Sequence, residues 1–268
     1  MKINGIEFTI GADPEIFMSI NGKFVSAHNA VPGTKARPYK VEKGAVQVDG
    51  MALEFNIDPS KNCEEFVSNL TVVQQQLLKM LPEGAEFLPN STMEFDEIFL
   101  KNTPIKARSL GCEPDYNAYT LDRNTKPDKT VLFRTVGGHI HTGGLFTDNP
   151  FGNEHMSTSA RLARLMDEQI GVYSLLWDKD DKRRSLYGQA GAFRPKYYGM
   201  EYRSLSNAWL FSKEAIKFVY DGVVSALELL FDSTYEPNPE ISMIINNSDR
   251  SHPIFNTPKA LMLQEKLK

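Results

Sequence analysis

The chain has 268 residues, of which 41% are hydrophobic and 24% are charged, as is typical of a globular protein with a substantial core. Its 30 Lys and Arg residues against 34 Asp and Glu residues give a net charge of −4, which disfavours a nucleic-acid-binding protein that works by neutralising phosphates. No apolar run reaches membrane-spanning length, and the N-terminus lacks a signal peptide. The two cysteines, Cys63 and Cys112, suggest neither a disulfide framework nor a zinc cluster, so we expect a cytoplasmic setting.

The first half of the chain predicts strands joined by tight turns, followed by a helix. Asn21-Gly22 lies between two apolar runs, and this dipeptide is typical of a β-hairpin turn. Ala45 to Ile57 predicts two more strands that meet near Asp49-Gly50. Asp58-Pro59-Ser60 should end the second strand and cap a helix. That helix should extend to about Leu81, because apolar residues recur there every three or four positions.

The second half predicts a helix from about Ser157 to Leu176 and another from about Ser212 to Phe231. Residues 237–268 contain several prolines and predict an extended wrap that ends in a short helix near Ala260 to Leu267. We therefore expect one domain over residues 1–236 and a C-terminal extension over residues 237–268. Short hairpins imply antiparallel pairing, and strands and helices come in blocks, so the predicted fold class is α+β.

Four strand segments each carry two polar side chains separated by one residue. They are Asp13-Pro14-Glu15, Glu54-Phe55-Asn56, His139-Ile140-His141 and Glu201-Tyr202-Arg203. Since successive side chains of a strand point to opposite faces, the two polar side chains of each pair would share one face. Charged groups are costly to bury unless they are paired or bound to a metal. The pairs therefore predict one sheet with a concave ligand-binding face and an opposite face packed on helices.

The polar residues of these pairs suit metal ions and phosphate. The candidate metal ligands are Asp13, Glu15, Glu54, His139 and Glu201. Hard cations such as Mg²⁺ prefer oxygen ligands, and one imidazole is also compatible with Mn²⁺. Nearby in the sequence lie the arginines Arg183, Arg184, Arg194 and Arg203. Metal ions bridge phosphate oxygens and arginine forks stabilise the charge that moves during phosphoryl transfer, so this combination suits polyphosphate.

The order of these motifs resembles the phage-type carboxylate–amine ligases, which are amidoligases of the glutamine synthetase-like group that also includes glutamate–cysteine ligases. The matching motifs are Asp13-Pro14-Glu15, Asp49 through Asn56, Gly137 through Gly144 and Tyr198 through Arg203. The resemblance implies a glutamine synthetase-like fold, in which a curved and mainly antiparallel sheet holds divalent metals and ATP. It also implies a reaction in which a carboxylate is phosphorylated and an amine then displaces the phosphate.

Carried over by motif, the resemblance gives each matching residue a role. It implies metal ligands at Asp13, Glu15, Glu54, His139 and Glu201, with possible assistance from Asp49. It implies that His141 lies near the phosphates and that Arg203 and Arg194 bind them; Arg184 is a further candidate contact to the cofactor. The implied cofactors are ATP and Mg²⁺ or Mn²⁺. The first pair is Asp-x-Glu where glutamine synthetases have Glu-x-Glu, so the side chain of Asp13 reaches less far as a direct ligand.

The expected partners are small-molecule or peptide carboxylates and amines, and neither nucleic acid nor a membrane is expected. Loops carry specificity, so we expect the substrate pockets to involve loops such as Ala27 to Tyr39 and Gly111 to Tyr119. If the chain is encoded by a phage, it would act in the host cytoplasm. We further expect Glu201→Gln to leave the protein folded, because removing a carboxylate from an acidic cluster relieves repulsion. Substrate identity and oligomeric state do not follow from the sequence.

Two other classes of function stay open at this point. A metal-dependent hydrolase would use His139 and His141 with a metal-activated water, but it gives no role to Arg194 and Arg203. A non-catalytic virion or partner-binding protein could retain the same fold. The joint presence of the carboxylates, His139 and the arginines disfavours that third class.

Overall fold

The computed structural model describes residues 1–108, 115–125 and 131–268. Cys112 and residues 111–114 of the loop Gly111 to Tyr119 lie outside the described residues. The strands are, in chain order, β1 (Lys2–Ile3), β2 (Ile6–Glu7), β3 (Thr9–Ile20), β4 (Lys23–Val25), β5 (Tyr39–Val41), β6 (Gly44–Asp49), β7 (Ala52–Ile57), β8 (Ala85–Leu88), β9 (Thr92–Glu94), β10 (Tyr116–Asn117), β11 (Phe133–Thr135), β12 (Gly138–Gly143), β13 (Ala192–Lys196) and β14 (Gly199–Tyr202). The α-helices are α1 (Cys63–Met80), α2 (Glu97–Asn102), α3 (Ile105–Arg108), α4 (Asn153–Met166), α5 (Lys213–Leu230), α6 (Ile241–Asn246) and α7 (Pro258–Lys266).

One large sheet organises the molecule. Its strand order is β10-β13-β14-β12-β3-β7-β6-β5, with β4 and β8 flanking the end of the long strand β3. The first part of β3 pairs with β12, and its last four residues pair with β4 and β8. Each of these pairings between strands is antiparallel. The combination of an antiparallel sheet with helices confirms the predicted α+β class.

Helices cover one face of this sheet. Ile10, Ala12, Ile16 and Met18 of β3 belong to the main hydrophobic core, to which α1, α4 and α5 also contribute. Helix α1 contacts β6 and β7, α4 contacts β13 and β14, and α5 contacts both helices. Because side chains alternate along a strand, the odd-numbered residues of β3, including Asp13 and Glu15, face the other way. The expectation that helices pack on the face opposite to the polar pairs is confirmed for α1, α4 and α5.

Both predicted hairpins are present, but the start of the first long helix differs from the prediction. Asn21 and Gly22 have φ values of 51° and 74° between the paired residues Ile20 and Lys23, as the tight turn requires. The predicted cap at Ser60 is wrong. Asn62 caps α1 by accepting a hydrogen bond from the Glu65 amide, because the chain first makes a bridge between Ser60 and Ile10.

The helix expected over Ser157 to Leu176 is longer and less regular than its apolar pattern indicates. Helix α4 begins at Asn153 and is continued by a π-helical turn at Asp167–Gly171 and a 3₁₀ turn at Val172–Leu176. Helix α5 follows the prediction closely, and Ser212 caps it by accepting from the Ala215 amide. Asp167, the first residue of the π turn, lies against the sheet, where its side chain accepts a hydrogen bond from the Tyr202 hydroxyl.

The C-terminal segment is more helical than predicted. The predicted short helix near Ala260 to Leu267 is present as α7, whereas helix α6 and a 3₁₀ turn at Pro253–Asn256 replace part of the expected extended wrap. Their apolar side chains form a second core with Val172, Tyr173 and Leu175, and this burial accounts for the helical structure. No helix within residues 1–108, 115–125 and 131–268 has the length and apolar character needed to cross a membrane.

Candidate active site

The strand register brings the four polar pairs together on the face away from the helices. Asp13 lies opposite His139, and Glu15 lies opposite Glu54. On the other side of β12, His141 lies opposite Glu201, which in turn lies opposite Arg194 of β13. Directly opposite residues share a face of an antiparallel sheet. The structure therefore places the sequence-predicted residues of five neighbouring strands side by side.

Asp13 links the two histidines. Its Oδ1 lies 2.9 Å from His141 Nε2 and 3.4 Å from His139 Nδ1. Burial acts to raise the pKa of Asp13, but the charge of His141 and the hydrogen bonds of both histidines together lower that pKa well below its usual range. Conversely, burial acts to lower the pKa of His141, but Asp13 raises it. The other ring nitrogen of His141 lies 2.5 Å from the Tyr198 hydroxyl, so His141 is held at both nitrogens in a form that favours the cation.

His139 lies deeper, and its surroundings favour the neutral imidazole. Burial and the charge of Arg203 lower the pKa of His139 to about 4. Its neighbour Gly137 has no room for a side chain, since a Cβ there would lie 2.2 Å from His139 Nε2. The Gly137 amide instead donates a 2.8 Å hydrogen bond to Glu15 Oε2. Gly137 therefore leaves space for the imidazole of His139 and donates a hydrogen bond to the carboxylate of Glu15.

Glu201 is surrounded by cationic side chains. Lys196 Nζ lies 2.7 Å and Arg194 Nη1 3.3 Å from its Oε2, and Arg203 Nη1 donates to its Oε1. Burial acts to raise the pKa of Glu201, but Arg203 and the other cations lower it well below its usual range. The ligand atoms of Glu201, Asp13 and His141 all lie within 4.8 Å of one another. This group is electrically balanced within the chain.

A second group consists of Glu15, Asp49 and Glu54, whose ligand atoms also lie within 4.8 Å of one another. Burial and the charge of Asp49 raise the pKa of Glu15 to about 7. Burial and the charge of Glu15 raise the pKa of Glu54 as well. The ammonium of Lys35 lies 2.5 Å from Asp49 Oδ2, and Lys35 and Arg203 act to lower the pKa of Glu15, but burial and Asp49 outweigh them. Oxygen donors with excess negative charge are the ligand set that Mg²⁺ or Mn²⁺ prefers.

Arg203 is positioned by residues outside the four pairs. Its Nε donates a 3.1 Å hydrogen bond to Asp115 Oδ2, and Asp115 Oδ1 accepts from the Asn124 side chain at 2.7 Å. Both chain neighbours of Arg203 bind Asp167 on the opposite face of the sheet. Tyr202 donates to Asp167 Oδ1 at 2.6 Å, and Ser204 Oγ lies 3.4 Å from the same oxygen.

The same carboxylate of Asp167 ties the loop that follows Asp115 to the sheet. The Tyr119 hydroxyl donates to Asp167 Oδ2 at 2.9 Å. Asp167 is fully buried, and burial raises its pKa to about 7, although the hydroxyls of Tyr202 and Tyr119 act to lower it. The π turn in the second helical segment therefore supports the position of the site from behind.

Arg184 is not brought to the site. Its guanidinium lies 3.3 Å from Asp178 Oδ2 and 2.9 Å from Asp181 Oδ1, and it contacts Ser248. The structure therefore does not bring Arg184 to the residues with which it was expected to bind the cofactor. Its neighbour Arg183 points to the sheet instead and donates to the carbonyl oxygens of Val136, Arg203 and Ser204.

Two cavities adjoin the carboxylates. The first has Glu15, Asp49, His139 and Arg203 in its wall, together with Arg134 and Arg183. The second contains Asp13, Glu54 and His141, and is bordered by Tyr198 and the exposed ring of Phe146. We name them the arginine cavity and the aromatic cavity. Glu15 and Glu54, which lie opposite each other, belong to different cavities, so the carboxylates form the boundary between the two.

Three neighbours of the site were not predicted from the sequence: Lys196, Asp115 and Lys35. Lys196 carried a signal, because Arg194-Pro195-Lys196 repeats the same alternation of polar and apolar residues. Asp115 and Lys35 lie in the two loops that were expected to form pockets. Their contacts to Arg203 and Asp49 depend on long-range packing, for which local sequence carries no signal.

Comparison with known proteins supports the resemblance that the motifs indicate. The family of phage phiEco32-like COOH.NH2 ligases, type 2, matches residues 132–229, which confirms the suspected amidoligase resemblance over β12, β13 and β14. No curated protein matches the chain. A crystal structure of a bifunctional glutathione synthetase from Pasteurella multocida is similar with a TM-score of 0.42 and 14% identity, covering 97% of this chain and 46% of that one. The chain thus spans less than half the length of that synthetase.

Proposed function

We infer that this chain, related through residues 132–229 to the phage-type carboxylate–amine ligases, is an ATP- and Mg²⁺-dependent ligase that forms an amide through an acyl phosphate. The observation that carries the proposal is the pairing of two kinds of charge on one sheet face. Glu15, Asp49 and Glu54 form a close group of three carboxylates, in which the pKa of Glu15 is raised, and Arg194 and Arg203 flank Glu201 beside it. Phosphoryl transfer from a nucleotide needs both cation-holding carboxylates and arginine forks.

Divalent cations fit the carboxylates of this face. Glu54 Oε2 is buried and has no hydrogen-bond partner among the residues that the structure describes, and a buried acceptor of this kind calls for a cation. We propose that Asp13, Glu15, Glu54, His139 and Glu201 hold the metal ions, with Asp49 and His141 next to them. Bound there, Mg²⁺ or Mn²⁺ would neutralise phosphate charge and polarise a phosphoryl oxygen.

The aromatic cavity is the better place for the nucleotide. Tyr198 and Phe146 in its wall offer ring faces on which a base can stack. Arg194 and Lys196 are paired with Glu201. In this position beside the aromatic cavity they would contact the phosphate oxygens of the nucleotide. The arginine cavity on the other side of the carboxylates would then hold the carboxylate substrate, so that the γ-phosphoryl group and the acceptor oxygen meet between them.

The arginine and histidine side chains of the site would stabilise the transferred phosphoryl group by their charge and hold it in position. Arg203 and Arg194 would grip the phosphoryl group as it moves, and such preorganised donors lower the barrier because they need no rearrangement. His141, kept cationic by Asp13, would add positive charge at the same place. His139 stays neutral near pH 7, which leaves a lone pair for a metal ion. The amine then attacks the acyl phosphate, and inorganic phosphate leaves.

We further propose that the sheet belongs to a curved, glutamine synthetase-like catalytic fold. In this proposal residues 1–236 form the catalytic domain and residues 237–268 form an extension around it. The substrates would be small-molecule or peptide carboxylates and amines. A hydrolase built on His139 and His141 would act without nucleotide and leaves the arginines around Glu201 without a role, so we do not favour it.

Calorimetry with a non-hydrolysable ATP analogue tests the proposal. The wild-type protein should bind the analogue only when Mg²⁺ or Mn²⁺ is present. Arg194→Gln should weaken binding by about 10- to 100-fold, as the loss of a charge-assisted contact to phosphate does. Lys213→Gln, at an exposed position of α5, is the matched control and should bind normally. Metal-independent binding, or none at millimolar nucleotide, would refute nucleotide use.

A further inference from the structure

The arginine cavity contains more positive charge than the proposed reaction requires. Three guanidinium groups lie in its wall, those of Arg134, Arg183 and Arg203. Arg203 is paired with Glu201 and Asp115, so its charge is balanced within the chain. Arg183 donates to three backbone carbonyl oxygens. The remaining guanidinium, that of Arg134, also donates to backbone carbonyl oxygens, but its buried Nε has no acceptor among the residues that the structure describes.

Arg134 lies on β11 and is 7% exposed. Its terminal nitrogens donate to the carbonyl oxygens of Val131, Phe133 and Arg108. Within the described part of the chain it forms no ion pair with a carboxylate, and its Nε has no hydrogen-bond acceptor. An unpaired buried charge is unfavourable by several kcal/mol unless an anion neutralises it. A cationic side chain kept in this state in a cavity wall is the mark of an anion-binding site.

The rest of the cavity wall defines the shape of a fitting ligand. Glu15 and Asp49 supply its acidic, cation-binding part, whereas Phe17, Met51 and Ala52 supply apolar surface. The ring of Tyr187 also lies in the wall. A molecule that suits this wall has one carboxylate for the cation-binding part, a short carbon chain, and a second acidic group for Arg134.

We propose that Arg134 is a specificity residue that binds a second acidic group of the carboxylate substrate, so that the arginine cavity takes short molecules with two acidic groups. Only the role of the reacting carboxylate rests on the proposed ligase function. The anion site at Arg134 follows from the cavity and its charges alone. The three carbonyl contacts hold the guanidinium in place in advance, which lowers the entropy lost on binding.

Binding of model acids tests this proposal without a known substrate. Glutarate carries two carboxylates, valerate is the monoacid with the same carbon chain, and 4-phosphonobutyrate carries a phosphonate as its second acidic group. In calorimetry with Mg²⁺ present, the full-length protein should bind glutarate or 4-phosphonobutyrate about 10- to 100-fold more tightly than valerate, the usual effect of one charged hydrogen-bonded contact. Whichever of glutarate and 4-phosphonobutyrate binds more tightly shows whether the second acidic group of the substrate is a carboxylate or a phosphoryl group.

Variants then assign the effect to Arg134. Arg134→Gln should remove the preference for the second acidic group while leaving valerate and Mg²⁺–nucleotide binding unchanged, and Arg134→Lys should retain part of it. Arg161→Gln, which removes an arginine that contacts Asp232 and Glu236 on another surface, is the control. If Arg134→Gln does not fold, the Arg134 Nε–H resonance of the wild-type protein replaces it, and it should shift when glutarate or 4-phosphonobutyrate is added.

Equal binding of the three acids, an unchanged preference in Arg134→Gln, or an Nε–H resonance that stays constant at saturating acid would overturn the proposal. The result is separable from the proposed function. Diacid binding that depends on Arg134 in a protein that binds no nucleotide would retain the anion site and refute the ligase. Nucleotide binding without any preference for diacids would refute the anion site and leave the ligase proposal standing.

Discussion

Glu15 on β3 and Glu54 on β7 lie directly opposite each other in the sheet, and both are more than nine-tenths buried. Two like charges in this arrangement destabilise a sheet, and burial adds to the cost. Their raised pKa values express the same conflict. A bound divalent cation would neutralise this repulsion, so under the proposed function the metal-free protein should be less stable than the metal-bound one.

The Glu54→Gln variant should therefore be more stable than the wild type when metal is removed. The amide keeps the shape and removes one of the opposed charges, so we expect a gain of about 1 kcal/mol or more in the free energy of unfolding in EDTA. With Mg²⁺ or Mn²⁺ the order should reverse, because the wild type gains stability by binding the cation. Urea unfolding in both conditions measures this.

The control for this comparison is Glu86→Gln, at an exposed position of β8, which pairs with the same strand. It should change the unfolding free energy by less than about 0.5 kcal/mol in either condition. A wild-type protein that gains nothing from Mg²⁺ or Mn²⁺, together with a destabilised Glu54→Gln variant in EDTA, would show that the carboxylates are a structural cluster rather than a metal site.

Glu201→Gln should behave in the opposite way. The reason given from the sequence, that this change relieves repulsion between carboxylates, does not fit this structure because Glu201 is surrounded by Arg194, Lys196 and Arg203. Removing the carboxylate leaves these cations facing each other, and breaking a buried ion pair costs about 3–5 kcal/mol. Urea unfolding in EDTA should show this loss, and a variant as stable as the wild type would contradict the charge balance described here.

The buried carboxylate of Asp167 should make stability depend on pH. Its pKa is raised from 3.8 to about 7 in the folded protein, so the folded state binds the proton more tightly than the unfolded state. The stabilising effect of that proton is complete below pH 3.8 and is lost as the pH rises through about 7. Across this range the loss is on the order of 4 kcal/mol.

Asp167→Asn cannot titrate and should lack this part of the pH dependence. We would compare urea unfolding of the wild type and the variant at several values between pH 4 and pH 8. The difference between the two curves isolates Asp167, since other groups act on both proteins. Tyr202→Phe removes a hydroxyl that lowers the pKa of Asp167, so it should move the transition to higher pH. Parallel curves for all three proteins would contradict this role.

Arg184 provides a prediction that separates stability from binding. Arg184→Gln breaks the buried contact to Asp178 and should lower the free energy of unfolding by about 3 kcal/mol. Its affinity for the Mg²⁺–nucleotide complex should remain that of the wild type, because Arg184 lies outside both cavities. Calorimetry at a temperature where the variant is fully folded decides this, and a large loss of nucleotide affinity would return Arg184 to the site.

The sequence predicted which side chains share a strand face, because alternation along a strand is local. It did not predict that Asp115 would bind Arg203, since such a contact depends on packing between distant segments. The different positions of Arg183 and Arg184, two successive residues of one turn, also could not be predicted from the local sequence. The 3₁₀ turn Lys182–Ser185 rotates successive side chains by a third of a turn, so one arginine enters the cavity wall and its neighbour does not.

The sequence also did not predict the hydrogen bonds by which Asp167 holds the sheet from the helical side. The apolar pattern of the second long helix continues past Asp167 without interruption, so nothing in it signalled the π turn at Asp167–Gly171. That turn depends on tertiary contacts, among them the tight approach of Gly171 to the Tyr202 hydroxyl. Functional sites often use such irregularities, and they are where local sequence rules are least informative.

Trapping of the acyl phosphate tests the central claim most directly. The protein would be incubated with ATP, Mg²⁺, a panel of acids that includes diacids, and hydroxylamine, which reacts with acyl phosphates to give stable hydroxamates. The ligase proposal predicts ADP and hydroxamate in equal amounts, dependent on one class of acid and absent in Arg203→Lys, which keeps the charge but loses the fork. ATP consumption that yields a phosphorylated alcohol or free phosphate, with no hydroxamate from any acid, would contradict it.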